Sequence, residues 1–431
     1  MFYYIEWMGA LTATDLTALV ARLSDTAVDA PDGGLIDLIG AAEQAKNALA
    51  ALQARASVAL RRLREREAAD AGRPIGRVAR SVAGEIALAR HESPHRAAQL
   101  LGVATMLLRE MPLTMRAFRT GQISEYRASL VVRETACLTR EDRAAVDFEV
   151  AADLPTLSDR QIVAECRRIG YRLDPHSAVN RVASAEADRR VTIRPAPDCM
   201  ALVSALLPVA QGVALFGALT AAADSARAAG DARCRGQVMA DTLVERSTGQ
   251  ASADAVPVQV QVVITDEGLL SDSDQPARLD GYGPVPAGIA RRLASIATQN
   301  DQLWIRRLYV KPLTGQLVAM ESKSRLFPAG LKDFIKARDE ICRTPWCGTP
   351  IRHTDHVIPV RDGGRTTADN GQGLCEQCNQ IKEAPGWSGV SRLEGILLRT
   401  PTGHLYTTRP PPLPIEPPPR LPYRIEVAFA A

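Results

Sequence analysis

Apolar residues recur at helical spacing along much of the N-terminal half of the chain. From Leu35 to about Ala71 they fall three, four or seven positions apart, which predicts one long helix that ends before Gly72. Shorter amphipathic helices are predicted up to about Tyr171, and the apolar stretch 199–229 is interpreted as one or two buried helices. The pattern therefore predicts a mainly α N-terminal region.

A helical corner is predicted within residues 82–108. A helix that reaches about Arg90 is followed by a short turn, after which Ser93 is a suitable N-cap and Pro94 a suitable first residue of the next helix. This arrangement is typical of a helix-turn-helix, and also of an ordinary corner in a helical bundle. In a DNA-reading element, three polar side chains of the second helix would face outward: His95, Arg96 and Gln99.

Alternation of apolar and polar residues predicts strands further along the chain. The stretches 189–194 and 257–264 alternate with the period of a strand, and 305–311 with 316–321 predicts a hairpin. Eight prolines between residues 409 and 424 predict an extended polyproline tail.

These patterns divide the chain into four parts. Residues 1–250 are predicted to form a helical domain, and residues 251–327 a connector that contains strands. Residues 328–390 are predicted to form a small α+β domain, and residues 391–431 a hairpin followed by the proline-rich tail. The predicted fold class is thus a mainly α domain followed by a small α+β domain.

The charge balance limits the kinds of partner. A net charge of +3 over 431 residues is too small to attract nucleic acid or an anionic membrane to the chain as a whole. Any anion-binding surface is therefore expected to be local. The N-terminus lacks the basic stretch of a secretion signal, and no uninterrupted apolar stretch reaches the roughly 20 residues of a membrane span. We therefore expect a cytoplasmic protein with no membrane association.

Four of the 8 cysteines form two close pairs. Four residues separate Cys342 from Cys347, and two residues separate Cys375 from Cys378. In a reducing compartment such pairs indicate a metal rather than a disulfide. Four thiolates would complete a tetrahedral zinc site with no open position, so the sequence predicts a structural zinc ion.

A second group of polar residues lies between the cysteine pairs, in the stretch HTDHVIPVRDGG. Asp355 and His356 are adjacent in a predicted strand, although the chain has only 6 histidines. Two glycines then allow a turn, and the stretch LCEQCNQIKEAPG predicts a short helix stopped by Pro385. The predicted arrangement is a ββα unit around a divalent ion.

These residues resemble the HNH endonucleases, whose ββα-metal fold cleaves nucleic-acid backbones. The resemblance implies that His356 is the general base, that Asn370 positions it, and that Asp355 is a ligand of the divalent ion. Asn379 stands where that family usually has a final metal-binding histidine. Because an amide oxygen suits a hard ion better than a soft one, the expected catalytic ion is magnesium or manganese.

The whole chain also resembles actinobacterial proteins, including the mycobacterial repetitive-element proteins. In those proteins an N-terminal helical domain of unknown function precedes an HNH domain. The likeness rests on the long arginine-rich helices and the GYGPVP segment that precede the HNH motif. It implies no mechanism for the helical domain.

The residue types also fit phosphodiester hydrolysis on chemical grounds. A divalent ion held by Asp355 and Asn379 would neutralise phosphate charge, and His356, with a reference pKa of ~6.5, could accept a proton from water. Four nearby basic side chains either contact flanking phosphates or are ordinary solvated surface: Arg352, Arg361, Arg365 and Lys382. His353 is predicted to share a strand face with Asp355.

The favoured hypothesis is a metal-dependent HNH endonuclease, a hydrolase acting on phosphodiester bonds in DNA. The alternative is a zinc-stabilised DNA-binding protein of a mobile element that has lost cleavage activity. A third interpretation is a helical adaptor whose proline-rich tail binds a partner. The sequence does not distinguish DNA from RNA, and it identifies no protein partner.

Overall fold

The structure is a computed structural model of the 431-residue chain. It describes residues 12–25, 28, 31–175, 186–252, 262–263, 274, 276–279, 282–299, 321–322, 326–392 and 395–411. The chain divides into two compact units, which we call unit 1 (Met1–Val58 with Val103–Leu173) and unit 2 (Ala59–Gly102 with Asp174–Ala431).

Helices dominate the N-terminal half. The helices are α1 (Ala13–Ser24), α2 (Asp32–Asp70), α3 (Val78–Arg90), α4 (Pro94–Glu110), α5 (Pro112–Arg119), α6 (Glu125–Thr135), α7 (Arg140–Val150), α8 (Asp159–Leu173), α9 (Val209–Ala228), α10 (Arg235–Thr248), α11 (Ala287–Gln299), α12 (Ala329–Asp339) and α13 (Glu376–Lys382). The long helix predicted from apolar spacing is confirmed as α2.

The strands are short and antiparallel. They are β1 (Arg190–Ala196), β2 (Met200–Leu206), β3 (Val262–Val263), β4 (Ala277–Leu279), β5 (Gly283–Val285), β6 (Glu321–Ser322), β7 (His353–His356), β8 (Thr366–Thr367), β9 (Gly371–Leu374), β10 (Ser388–Arg392), β11 (Gly395–Arg399) and β12 (Leu405–Thr408). Strand β1 pairs with β2, β6 with β8 and β7 with β9. Two three-stranded sheets have the orders β3-β4-β5 and β10-β11-β12. A mainly α region followed by a small strand-and-helix domain confirms the predicted fold class.

A buried carboxylate organises the helices of unit 1. Helix α5 begins after Met111, whose side chain provides no cap. Asp147, on α7, accepts hydrogen bonds from the backbone amides of Leu113 and Thr114, each at 2.8 Å. The Thr114 hydroxyl donates a third bond at 2.6 Å. Asp147 therefore caps α5 from a neighbouring helix and satisfies amides that the helix itself leaves free.

Helix α2 approaches the α5–α6 turn closely within unit 1. Gly121 has a φ of +77°, and a Cβ at this position would lie 2.2 Å from the carbonyl oxygen of Gln44. The Gln44 amide donates to the Thr120 carbonyl at 2.9 Å, and the Asn47 amide donates to the Gly121 carbonyl at 3.1 Å. Glycine is required here by both backbone angle and space.

In unit 2, α3 packs against α13. A Cβ on Gly84 would lie 2.8 Å from the Ile381 side chain, so the two helices meet at a glycine. The Trp387 indole donates to the Ser81 hydroxyl at 2.9 Å. An N-terminal helix thus supports the helix that carries Cys378 and that Cys375 caps.

The predicted helical corner is confirmed as local structure. Helix α3 ends at Arg90 and α4 begins at Pro94, with the Ser93 hydroxyl accepting from the Arg96 amide at 3.2 Å. The three side chains expected to face outward are exposed: His95, Arg96 and Gln99. DNA reading by this corner stays a prediction.

The interpretation of residues 199–229 as one or two buried helices is confirmed for the helix at Val209–Ala228 but is wrong for residues 200–206 and for the burial. The chain forms β2 first, after a turn in which Asp198 and Cys199 have φ values of 60° and 58°. Helix α9 follows, and within it Leu219 and Ala223 are buried. In the described part of the chain, α9 is the one helix long and apolar enough to cross a membrane by length and composition. A single such helix is weak evidence for a membrane segment, because core helices pass the same test.

The four-part division of the chain stays a prediction. The predicted hairpin 305–311 with 316–321 lies outside the described residues except for residue 321, and the same holds for most of the stretch 257–264. The proline-rich tail beyond residue 411 also lies outside them.

Candidate functional site

The four paired cysteines meet at one point. Their sulfur atoms all lie within 4.8 Å of one another, and all four residues are buried. The Sγ of Cys347 lies 3.7 Å from that of Cys375 and 3.6 Å from that of Cys378. These distances are far longer than the ~2.05 Å of a disulfide bond, so the thiols are free.

The local backbone explains this convergence. The amide of Cys342 donates to the Thr349 carbonyl at 2.8 Å, which closes the first cysteine loop. Within that loop Trp346 and Gly348 have φ values of 58° and 63°, which tighten the turn. Cys375 is the N-cap of α13, where its Sγ accepts from the Cys378 amide at 3.4 Å.

The cysteine cluster fits a zinc-type site. Tetrahedral zinc with Zn–S bonds of ~2.3 Å requires sulfur atoms roughly 3.8 Å apart, close to the separations observed. Hydrogen bonds from the Cys342 thiol lower the pKa of Cys347 and that of Cys375, whereas hydrogen bonds with neighbouring thiols raise the pKa of Cys342 and that of Cys378. Two of the four thiols thus favour the thiolate form that binds metal. With four protein ligands the ion would be structural.

The strand pair β7–β9 presents the second polar group. In its register His353 lies opposite Leu374, Asp355 opposite Gln372, and His356 opposite Gly371. His353 is exposed, whereas His356 is buried and Asp355 lies between these extremes. Helix α13 packs on the same strand, which completes the predicted ββα unit.

His356 is held by aromatic packing and one hydrogen bond. Its side chain is 8% exposed, and its ring lies 4.4 Å from that of Phe327. Its Nε2 atom lies 3.0 Å from the Thr366 hydroxyl. Burial lowers the pKa of His356 below its usual value, although the nearby Asp355 carboxylate opposes this shift. The imidazole is therefore neutral at neutral pH.

Asp355 lies beside a lysine. The Lys382 ammonium is 2.9 Å from Oδ2 of Asp355, and Oδ1 accepts from the backbone amide of His356 at 2.8 Å. The separation of 3.6 Å between this Oδ1 and Nδ1 of His356 is too long for a hydrogen bond. Burial alone would raise the pKa of Asp355, but Lys382 outweighs it and holds the pKa below its usual range.

Asn379 carries an unsatisfied oxygen. Its Oδ1 is buried and has no hydrogen-bond partner. Asn379 and Lys382 are three residues apart on α13 and therefore share the helix face that contacts Asp355. A buried carbonyl oxygen without a donor costs roughly 1–3 kcal/mol, which a bound cation would remove. A carboxylate oxygen and an amide oxygen are both donor types that a hard divalent ion prefers.

Asn370 clamps a loop. Its Oδ1 accepts from the Ile358 amide at 2.9 Å, and its Nδ2 donates to the carbonyls of Ile358 and Arg365 at 3.0 and 2.8 Å. The resemblance implied that Asn370 positions His356, but in the structure the Asn370 amide bonds to these backbone groups and not to the imidazole. The residue shapes the loop that follows β7 instead.

A cavity of about 340 Å³ lies beside Asp355 and His356. Thr354 lines it, and the buried Thr354 hydroxyl has no hydrogen-bond partner. Of the basic residues expected near the site, Arg352 and Arg365 are exposed, whereas exposed Arg361 pairs with Glu383 at 2.8 Å.

Three site features escaped the sequence interpretation. Lys382 was expected either to contact phosphate or to be solvated, whereas it pairs with Asp355. Its position three residues after Asn379 was the signal that both residues lie on one side of α13. Thr366 and Thr354 gave no such signal, because their contacts with the site depend on strand pairing that the sequence does not specify.

Comparison with known families gives two matches along the chain. Residues 39–339 match the model described as domain of unknown function (DUF222), and residues 340–384 match the model of the HNH endonuclease. The second match spans the cysteine cluster, Asp355, His356 and Asn379.

One curated relative is the uncharacterized protein Rv3776 of Mycobacterium tuberculosis (strain ATCC 25618 / H37Rv). It is 36% identical over 86 residues, a stretch that covers 19% of this chain and 16% of that protein. No solved structure matches this chain.

Proposed function

Because the chain belongs to the family of proteins with the DUF222 domain and carries a C-terminal HNH endonuclease domain, we propose that it is a metal-dependent endonuclease. Its substrate in this proposal is DNA, and its reaction is hydrolysis of a phosphodiester bond. The helical DUF222 region would then bring the nuclease to its substrate or regulate it. A cytoplasmic location is part of the same proposal.

The unsatisfied oxygen of Asn379 carries this proposal. It is buried on α13, three residues before the lysine that pairs with Asp355. A domain that served only to bind DNA would have no need for a buried oxygen left without a donor at this position. A divalent ion bound by Asp355 and Asn379 would stabilise the negative charge that develops on the phosphate.

His356 supplies the base in this proposal. If the proton on Nε2 is donated to the Thr366 hydroxyl, the lone pair of Nδ1 is free to accept a proton from water. The water oxygen then forms a bond to phosphorus, and the ester P–O bond breaks. The leaving oxygen takes up a proton, and Thr366 keeps the imidazole in the productive tautomer.

The nature of the ligands favours magnesium or manganese. A carboxylate and an amide oxygen are hard donors, and no imidazole is placed at the position of Asn379. Lys382 already neutralises Asp355, so an arriving ion would compete with the ammonium for Oδ2. We expect metal binding to release Lys382 toward a substrate phosphate.

Plasmid nicking by the purified full chain tests the proposal. Supercoiled DNA would be incubated with magnesium, manganese, zinc or calcium, and the nicked and linear forms counted. His356→Ala should abolish nicking while zinc content and folding are retained. His353→Ala is the matched control, since this exposed histidine lies on the same strand. Equal nicking by His356→Ala and the wild type would show that the base is wrongly assigned.

One observation favours a second candidate, a zinc-stabilised DNA-binding domain that no longer cleaves. The pairing of Lys382 with Asp355 leaves the expected metal ligand already neutralised. In that case the wild type and His356→Ala would bind a fluorescent DNA duplex equally, and neither would nick it with any of the four ions. Nicking by the wild type alone would exclude this candidate.

A further inference from the structure

A second cavity lies behind the nuclease site, between the ββα unit and the three-stranded sheet β10-β11-β12. We call it the sheet cavity. Its volume is about 240 Å³, and its walls include Arg343, Trp387, Ile396, Leu398 and Thr408. No role in the proposed hydrolysis involves this cavity, although Arg361, Lys382 and Glu383 line both cavities.

Arg343 is buried at the wall of the sheet cavity with most of its donors unused. Its side chain is 4% exposed. One nitrogen, Nη2, donates to the carbonyl of Thr408 at 3.0 Å, and since Thr408 also lines the cavity, the guanidinium lies at the cavity wall. The Nε and Nη1 nitrogens are buried without a hydrogen-bond partner.

The neighbouring carboxylate does not satisfy Arg343. Asp339 lies 3.6 Å from Nη1, beyond hydrogen-bond distance. Its two oxygens already accept from Arg338, at 2.7 and 3.0 Å, and from the Gly373 amide at 2.7 Å. Two guanidinium groups thus share one carboxylate, which leaves one positive charge without a close partner.

Other charges around the sheet cavity cancel. Arg361 pairs with Glu383 at 2.8 Å and lies 3.7 Å from Asp362, and Lys382 pairs with Glu383 at 2.5 Å. These two bases and two acids line the cavity with no net charge. The nearby thiolates do not accept from Arg343 either, because its free nitrogens have no sulfur partner. The wall at Arg343 therefore carries N–H donors that no side chain of the cavity accepts from.

We propose that the sheet cavity binds a small organic oxyanion, with its charged head at Arg343 and its apolar body against Trp387 and the sheet residues. Guanidinium groups bind carboxylates and phosphates strongly, because both can accept several N–H bonds. A cavity of ~150 Å³ can hold a benzene ring. The sheet cavity, at about 240 Å³, has room for one ring and an oxyanion head.

Calorimetric titration of the zinc-loaded full chain tests this proposal. The probes are phenyl phosphate, benzoate and neutral phenol, at constant ionic strength. The wild type should bind one or both anions saturably and phenol much more weakly. Arg343→Met should weaken anion binding by roughly tenfold or more, because it removes the charge and the free donors. Arg399→Met, an exposed arginine on the same sheet, should have no effect.

A second variant covers the case in which Arg343→Met fails to fold. Leu398→Phe would fill the sheet cavity from β11 while leaving Arg343 in place, and it should also abolish binding. Three results would overturn the proposal: no saturable binding by the wild type, phenol binding as tight as the anions, or unchanged binding by Leu398→Phe. Each can occur whether or not the chain cleaves DNA, so the test is independent of the proposed function.

Discussion

Asn370→Ala should loosen the loop that follows β7. The wild-type amide makes three hydrogen bonds to this loop, one to the Ile358 amide and two to the carbonyls of Ile358 and Arg365. Each contributes about 1 kcal/mol net, so their loss should lower the free energy of local opening by about 3 kcal/mol. A loss of that size corresponds to roughly 100-fold faster amide exchange.

Hydrogen exchange followed by mass spectrometry measures this change directly. Peptides that span residues 353–365 report opening of the loop, independently of unfolding elsewhere in the chain. Gln380→Ala is the matched control, since this exposed amide lies on α13 and makes a single long contact, with Glu376 at 3.5 Å. An increase of less than about threefold in the exchange rate of the Ile358 amide would refute the role of Asn370 in holding this loop.

Three further changes test the rest of the structure. Asp147→Ala removes the three hydrogen bonds that cap α5 and should lower the stability of unit 1 by about 3 kcal/mol in urea unfolding; a loss below about 1 kcal/mol would contradict the cap. Glu134→Gln should lower the free energy of unfolding by about 1–2 kcal/mol at neutral pH. The reason is that hydrogen bonds from Arg167 and Arg133 overcome the effect of burial and lower the pKa of Glu134. That difference should shrink as the pH falls through the lowered pKa, since the carboxylate then becomes neutral in the wild type also; a difference that stays constant in acid would argue against the ion pairs. Cys375→Ser should lose bound zinc and the exchange protection of α13, whereas an unaltered zinc content and melting profile would remove the zinc-type site.

Local signals in the sequence predicted the local structure well. The capping side chain of Ser93 and the ring of Pro94 define the start of α4 through contacts within a few residues, and the structure has them as predicted. The cysteine pairs were equally informative, because short thiol spacings are rare unless the thiols share a metal.

The interpretation failed where neighbours in space decide the outcome. Residues 200–206 are apolar except for Ser204, and such a short apolar run fits a strand or a buried helix equally well. The positive φ values of Asp198 and Cys199 make the turn that pairs this segment with β1, and nothing in the apolar pattern specifies them.

The same limit applies within the site. The family resemblance directed attention to Asp355 and His356, but the side chains that surround them come from other elements. Thr366 reaches His356 from β8, and Phe327 reaches it from the segment before α12. Arg343 would be assigned to the surface from its type alone, yet the structure buries it.

The central claim is that Asp355 and Asn379 hold one divalent ion beside His356. Manganese titration of the zinc-loaded full chain, followed by electron paramagnetic resonance, tests it without DNA. The account predicts a single manganese site whose affinity falls by at least about tenfold in Asp355→Asn and in Asn379→Ala, while Asp362→Asn, an exposed carboxylate of the same loop, leaves it unchanged. Equal manganese affinity in the wild type and all three variants would contradict the account.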